Sequence, residues 1–271
     1  MILDDVRNLR QQLKNIGRVE TNVFSDDVLE NAEELYHSEK SLLISSVDCN
    51  VRRLFYYTVD FDSLEPLFPL LKNQEYVLEF LTKNADEKSA FLKGNGFSLL
   101  AQMMRVSTLD CTNALSDQLM SKYADDSIGV FPNPSSCSAI NEKLHEIFDS
   151  RVSHLLNDDG LKKAIENGEI TIHQDFAGNV DAILQVVVQP KRFYINQIYN
   201  GSEKKVIHAM LQKRLKDYVN QGGKYAYAWV EKNNIASIKF HEKYGMKFDG
   251  LWNMVYALKS EGRKLCLNFR L

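Results

Sequence analysis

From Glu203 to Asn220 apolar residues recur at spacings of three and four: Ile207, Met210, Leu211, Leu215 and Tyr218 fall on one face, with Lys204, Lys205, His208, Gln212 and Lys216 turned away. That period predicts an amphipathic helix, stopped by Gly222-Gly223. The pattern then changes. Over Lys224 to Val230, Tyr225, Tyr227 and Trp229 alternate with Ala226, Ala228 and Val230. A strand apolar on both faces is expected to be central and covered on both sides. Asn234 reads as the N-cap of a further helix closing at Gly245, followed by strands near Phe248 to Leu258 and at Lys264 to Arg270.

Upstream of the long helix, Ala139 to Ser150 and Asp159 to Asn167 read as two helices, the second ended by Gly168. Strands follow at Glu169 to Asp175 and Val180 to Gln189, joined as a hairpin through Ala177-Gly178-Asn179, and Pro190-Lys191-Arg192 leads into a third at Phe193 to Tyr199. The segment Ala124 to Ser138 concentrates Asp, Ser and two of the five prolines, which disfavour helix. It predicts a linker at residues 126–138. Before it, Asp26 to Lys40 reads as a helix, then strands at Ser41 to Asp48 and Arg52 to Asp60, a short helix over Asp62 to Leu71, and a strand at Tyr76 to Lys83. A helix at Asp86 to Lys93 and a strand at Phe97 to Ser107 complete this half.

Composition adds four things. A length of 271 residues exceeds one typical domain of roughly 100–200, so two are expected, 1–125 and 139–271, each able to build a core at 44% hydrophobic content. No apolar run approaches the roughly 18 residues of a membrane span, which predicts a soluble, cytoplasmic protein. Cys49, Cys111, Cys137 and Cys266 lie far apart with no CxxC pair, so reduced thiols are expected, with no disulfide framework and no metal site. Charge is uneven: thirteen basic against twenty-one acidic residues before Gly129, and twenty against fifteen from it onward. The positive second half suits an anionic ligand, but it is too dilute for nucleic acid, which needs clustered Lys and Arg.

The most specific stretch is Val230-Glu231-Lys-Asn-Asn234-Ile-Ala-Ser237-Ile-Lys-Phe-His241-Glu-Lys-Tyr-Gly245-Met246. It resembles a signature of the Gcn5-related N-acyltransferases (GNAT): an Asn opening a helix, a small residue at +3, Tyr or His at +7, Gly at +11 and an apolar residue at +12. Asn234, Ser237, His241, Gly245 and Met246 fill those places. The order of two helices, three-stranded meander, long helix, buried strand, helix and closing strands is similar to the GNAT order. A weaker copy, Phe91-Leu92-Lys-Gly-Asn-Gly96-Phe97, parallels Phe240-His241-Glu-Lys-Tyr-Gly245-Met246, with Ala85, Lys88 and Leu92 where the later copy has Asn234, Ser237 and His241. The resemblance thus implies an α/β (α+β) GNAT fold, a mixed central sheet flanked by helices, as two GNAT-like halves in tandem, the first truncated and without chemistry.

The resemblance also implies a function: transfer of an acyl group, most simply acetyl, from acetyl-CoA or another acyl-CoA to a primary amine of a small molecule or peptide by direct attack. The family's fourth and fifth strands splay around the pantetheine arm, and the acyl carbonyl rests on a backbone N–H of the fourth, here near Gln197 and Ile198. Asn234 and Ser237 would meet the arm, His241 would protonate or hydrogen-bond the departing sulfur, and Glu231 would be a base for the amine. The family's glycine-rich pyrophosphate loop corresponds to Ser202-Glu-Lys-Lys-Val206-Ile207, with Lys205 and Ile207 at the glycine positions and Ser202 at the usual Arg. Ser202, Val206 and the cations Lys204 and Lys205 would then hold phosphate. In the first half the matching segment, Asp60-Phe-Asp62-Ser-Leu-Glu65, is acidic and would repel it.

Two other readings stand beside this one. Fem aminoacyltransferases are also tandem GNAT-like chains without an ordinary pyrophosphate loop and take their acyl group from aminoacyl-tRNA, although they are usually longer and more basic. A degenerate pair could instead bind a ligand or partner without catalysis. The loop Ser150 to Asp159 would help choose the acceptor, the acidic first half would favour a cationic amine, and a second copy of the chain, as a homodimer, is a candidate partner. No membrane or nucleic-acid partner is expected.

Overall fold

The computed structural model describes residues 2–84, 86–115 and 128–259. The chain forms two compact units, one built from residues up to Gln102 together with those from Trp252 on, the other from Met103–Leu251. The expected strand Lys264 to Arg270, Cys266, Ala85 and residues 126 and 127 of the expected linker lie outside the described residues.

The first unit starts with helix α1 (Ile2–Ile16), whose Val6 and Leu13 are buried in a cluster with Leu42, Ile44, Phe55 and Tyr57. Leu3, Val6, Leu9 and Leu13 recur at helical spacing, and Asp4 and Asp5 in the first turn with Lys14 in the last suit the helix dipole. After the short β1 (Glu20–Thr21) come β2 (Ala32–His37), β3 (Ser41–Asp48) and β4 (Val51–Thr58), an antiparallel meander. The helix expected over Asp26 to Lys40 is therefore corrected to a single 3₁₀ turn, Asp26–Leu29, followed by β2. The Ala, Glu and Leu content favours helix locally, but pairing with β3 overrides it, and Glu34 is buried there under Tyr76 Oη (2.8 Å) and Lys72 Nζ (2.6 Å).

A 3₁₀ segment, Phe61–Leu70, stands where the short helix was expected. Pro66 and Pro69 withhold the amide donors an α-helix needs, while Leu64, Leu67 and Phe68 are buried. Then come β5 (Tyr76–Thr82) and α2 (Asp86–Gly94), with Gly96 at φ +84° turning the chain into β6 (Phe97–Thr108). β5 lies parallel to β4, but only Arg53↔Val77 and Leu54↔Leu78 are in register.

In the second unit α3 (Cys137–Ile147) and α4 (Asp158–Glu166) precede the meander β7 (Ile170–Gln174), β8 (Val180–Gln189) and β9 (Arg192–Asn200). Residues before α3 are tied to that sheet by a bridge between Val130 and Ile172. Asn157 caps α4 by accepting from Gly160 N–H, 2.8 Å. The long helix α5 (Lys204–Asn220) leads to β10 (Ala226–Glu231), α6 (Ile235–Glu242) and β11 (Lys247–Leu258). Alternation along β8 separates two cores: Ala182, Leu184 and Val186 pack with α5, while Ile183 packs with α3 and α4.

The expectation that the Lys224 to Val230 strand is covered on both faces is corrected for one of them. Ala226, Ala228 and Val230 are buried in the α5 core, but Tyr225, Tyr227 and Trp229 are half-exposed. Aromatic neighbours shield that face instead: Tyr227 stacks on Tyr194 (4.7 Å) and lies 5.6 Å from Tyr225.

The closing strands are exchanged between the sequence halves. β6 follows the first unit's α2, yet Met103 to Thr108 pair antiparallel with β10 in the second unit, from Met103↔Glu231 to Thr108↔Ala226. Likewise β11 follows α6, yet Trp252 to Leu258 pair with β5 in the first, from Trp252↔Thr82 to Leu258↔Tyr76.

Candidate functional site

The second unit contains a strand fork. β9 and β10 run parallel with Phe193↔Ala226, Tyr194↔Tyr227 and Ile195↔Ala228 in register, and the pairing stops there. Both strands continue, β9 to Asn200 held on its far side by β8, and β10 to Glu231 held by β6. At the parting point β9 bulges: Val186 faces Ile195 but Gln185 faces Gln197, so Asn196 is the extra residue. A bulge bends its strand and re-aims the next backbone groups. No other strand pairs with the β10-facing edge of β9 beyond Ile195 among the described residues. Gln197 and Ile198, expected to receive the acyl group, lie immediately past the bulge. Gln197 is buried, and its Oε1 has no hydrogen-bond partner among the described residues.

Asn234, Ser237 and His241 are brought together on α6 as a relay along one helix face. Asn234 Oδ1 accepts from Ser237 N–H at 2.9 Å, which caps the helix, and His241 Nδ1 lies 2.8 Å from the Ser237 carbonyl. A carbonyl only accepts, so Nδ1 carries the proton and Nε2 presents a lone pair. Nε2 is buried without a partner among the described residues. Burial pushes the imidazole pKa down to about 4, the Ser237 carbonyl opposing this only in part. Near neutral pH His241 is therefore a neutral acceptor with no proton on Nε2 to give. Gly245 at φ +72° ends the helix turn, and Met246 is buried in the α5 core.

Glu231 ends β10 and is exposed. The start of α5 holds the expected phosphate residues. Lys204 and Lys205 are exposed, and Lys205 Nζ lies 3.3 Å from the Glu203 carboxylate, which offsets its charge. Val206 is buried and its N–H donates to the Glu203 carbonyl at 2.9 Å, so that amide is already engaged. Ser202 is half-buried, its carbonyl accepting from Asn200 Nδ2 at 3.3 Å. A Cβ at Gly201 would stand 2.3 Å from the Tyr199 hydroxyl oxygen, so a larger residue there would displace the Tyr199 ring.

Behind α6 lies a histidine that sequence reasoning placed on a solvent face. His208 on α5 is fully buried, its Nδ1 2.7 Å from Tyr244 Oη and its ring 4.8 Å from Phe240. Its spacing against Met210 and Leu211 marks it as lateral to the apolar stripe, where Phe240 and Tyr244 pack against it. Among the described residues no group of three or more His, Cys, Asp or Glu side chains could hold a metal ion, and no helix is long and apolar enough to cross a membrane. Cys49, Cys111 and Cys137 are free thiols; burial and the Asp48 charge push Cys49 up to about 11.

No protein-family model matches the sequence, and no curated protein matches it either. Solved structures do resemble it. The GCN5-related N-acetyltransferase from Sphaerobacter thermophilus superposes with a TM-score of 0.55 at 10% identity, over 90% of this chain and 88% of that one. A tandem GNAT protein from the clavulanic acid biosynthesis pathway gives 0.52 at 9% identity, over 83% and 80%. A functionally unknown conserved protein from Staphylococcus epidermidis ATCC 12228 gives 0.51 at 10%, over 88% and 98%. With the parallel fork, its bulge and the repeated strand and helix order, these likenesses define the class: the chain has the GNAT fold. The likeness to the tandem GNAT protein extends over both units.

Proposed function

We propose that the second unit is an N-acyltransferase, most simply an acetyltransferase, that takes its acyl group from acyl-CoA and passes it to a primary amine of a small molecule or peptide. The carrying observation is the parting of β9 from β10 at Ile195 and Ala228 beside the Asn196 bulge. Such a fork leaves two strand edges that an extended, amide-bearing arm can bridge, and the unpartnered Gln197 Oε1 suits an amide N–H from that arm. The likeness in fold to a GCN5-related N-acetyltransferase supports the same reading.

On this reading the backbone at Gln197 and Ile198 orients the acyl carbonyl, Ser202, Val206 and Asn234 border the arm, and Lys204 and Lys205 offset phosphate charge. The amine attacks directly, and exposed Glu231 accepts its proton, through water where needed. As the C–N bond forms the thioester C–S bond breaks, the CoA thiolate takes its proton from a water, and His241 accepts a hydrogen bond at Nε2 from that water, a role that fits its neutral state better than proton donation. Residues 1–125 and 139–271 are the two halves of an internal repeat, with 126–138 between them, and the first half performs no chemistry.

Titration of the whole chain with acetyl-CoA and with free CoA, followed by thermal denaturation, tests this. A ligand bound only by the folded state stabilises by about 2.7 kcal/mol at 100 times its dissociation constant. A raised melting temperature with both, and CoA release on adding amines, are the expected results. Absence of any shift would refute it. A shift without turnover on any amine would favour a non-catalytic ligand-binding pair.

A further inference from the structure

The first unit has its own fork, and the chain fills it. β4 and β5 part after Leu54 and Leu78 as β9 and β10 do after Ile195 and Ala228. Into that parting comes the segment after α1. Thr21 and Glu20 pair antiparallel with Tyr57 and Thr58 on β4, whose opposite edge is held by β3, so β1 occupies the edge that β5 has left. Asn22 sits in the crotch of the fork and is almost wholly buried. Its Oδ1 accepts from Tyr56 N–H at 2.7 Å, and its Nδ2 donates to the Leu54 carbonyl on one branch at 3.0 Å and to the Glu79 carbonyl on the other at 2.8 Å. A single carboxamide thus satisfies backbone groups of both strands.

Its neighbours lock it in place. Thr21 Oγ1 donates to the Tyr56 carbonyl at 2.6 Å, and Tyr56 Oη donates to Glu20 at 2.9 Å. Glu20 also forms an ion pair with Lys88 of α2, whose ammonium lies over the rings of Phe61 and Phe80 at 4.9 and 5.4 Å. Lys88 stands where the second copy has Ser237. The departures from the motif in the first copy therefore have a use: one of them fastens the segment that fills the fork.

We propose that Glu20–Asn22 is a built-in occupant of the first unit's fork, holding in cis the backbone groups that an extended, amide-bearing ligand would otherwise take, so that the chain binds one acyl-CoA and not two. The count of ligands rests on the function proposed for the second unit; the occupied fork does not.

Amide hydrogen exchange on the whole chain separates the two. Without ligand, the Tyr56 amide is expected to be protected, and saturating acetyl-CoA is expected to slow exchange around Gln197 and Ile198 while leaving Leu54 to Tyr57 and Glu79 unchanged, with one molecule bound per chain by calorimetric titration. In Asn22→Ala, loss of the one hydrogen bond should speed Tyr56 exchange by about tenfold. The native protein's own exchange at Tyr56, with and without acetyl-CoA, serves if the alanine variant does not fold. A Tyr56 amide exchanging at the rate of an open chain in the native protein, acetyl-CoA altering exchange at Tyr56 or Glu79, or two molecules bound per chain would each overturn the proposal. A protected Tyr56 with no acetyl-CoA bound anywhere would support the occupied fork and sink the acyl-CoA reading alone.

Discussion

His241 should make the protein measurably weaker in mild acid. In the folded chain its pKa is depressed to about 4 by burial, against an ordinary 6.5. Above pH 6.5 both folded and unfolded states hold a neutral imidazole, and the group does not bias folding. As pH falls below 6.5 the unfolded chain binds a proton that the folded one refuses, and stability drains away until the folded pKa is passed. At roughly 1.4 kcal/mol per pH unit, the gap between the two pKa values amounts to about 3 kcal/mol, lost between about pH 6.5 and 4. The comparison needed is His241→Asn, whose amide can still donate to the Ser237 carbonyl but does not titrate. Urea denaturation at half-unit steps from pH 8 to pH 4, in both proteins, gives the difference in unfolding free energy. Subtraction cancels the carboxylates and the other histidines. The wild-type protein should lose about 3 kcal/mol more than the variant. Parallel curves would refute the buried, neutral imidazole, and with it the argument that His241 has no proton to give a leaving thiolate.

Asn234→Ala removes the acceptor for Ser237 N–H and should lower unfolding free energy by about 1 kcal/mol in denaturant titrations. Gly223→Ala would drive a Cβ to 2.2 Å from the buried Tyr218 ring and should cost about 1–3 kcal/mol by the same measurement. Gly129→Ala combines a φ of +82° with a Cβ 2.7 Å from Met210, and a drop in melting temperature larger than that for Gly178→Ala, whose Cβ meets nothing, is expected in calorimetry. Arg53→Ala strips a buried guanidinium from Asp48 (3.2 Å) and Glu79 (3.5 Å) and should destabilise by about 3–5 kcal/mol, with Arg53→Met less harmful than Ala.

Much of this fold was legible because its signals are local. The stripe from Ile207 to Tyr218, the alternation along β8 and β9 and the glycine stop at Gly245 each follow from residues within a turn or two of one another. β2 was misread for the complementary reason. Its Glu33, Glu34 and Leu35 favour helix alone, and the force that makes them a strand comes from β3 and from Lys72, nearly forty residues on. The site divides in the same way. The spacing of Asn234, Ser237 and His241 placed them on one helix face, but the tautomer and burial of the imidazole depend on what packs around it. The occupied first fork had no sequence signal at all, since Asn22 is a single polar residue whose three partners lie on two strands.

The exchanged closing strands bear on how the protein is made. β5 emerges from the ribosome well before the strand that pairs with it, from Trp252 onward, and the Asn253 to Glu79 hydrogen bond spans 174 residues. The second unit draws from the first sequence half on Met103 to Thr108 and on Cys111 and Leu115 of its core, all already present when its own strands appear. The first unit must then be the later of the two to finish, holding Phe80 and Leu78 without their Tyr256 and Met254 neighbours until β11 has been made. Such a chain departs from the usual order in which the first-made domain folds first. It would be expected to depend on chaperones in that interval, and to yield an aggregation-prone product when translation stops short of β11.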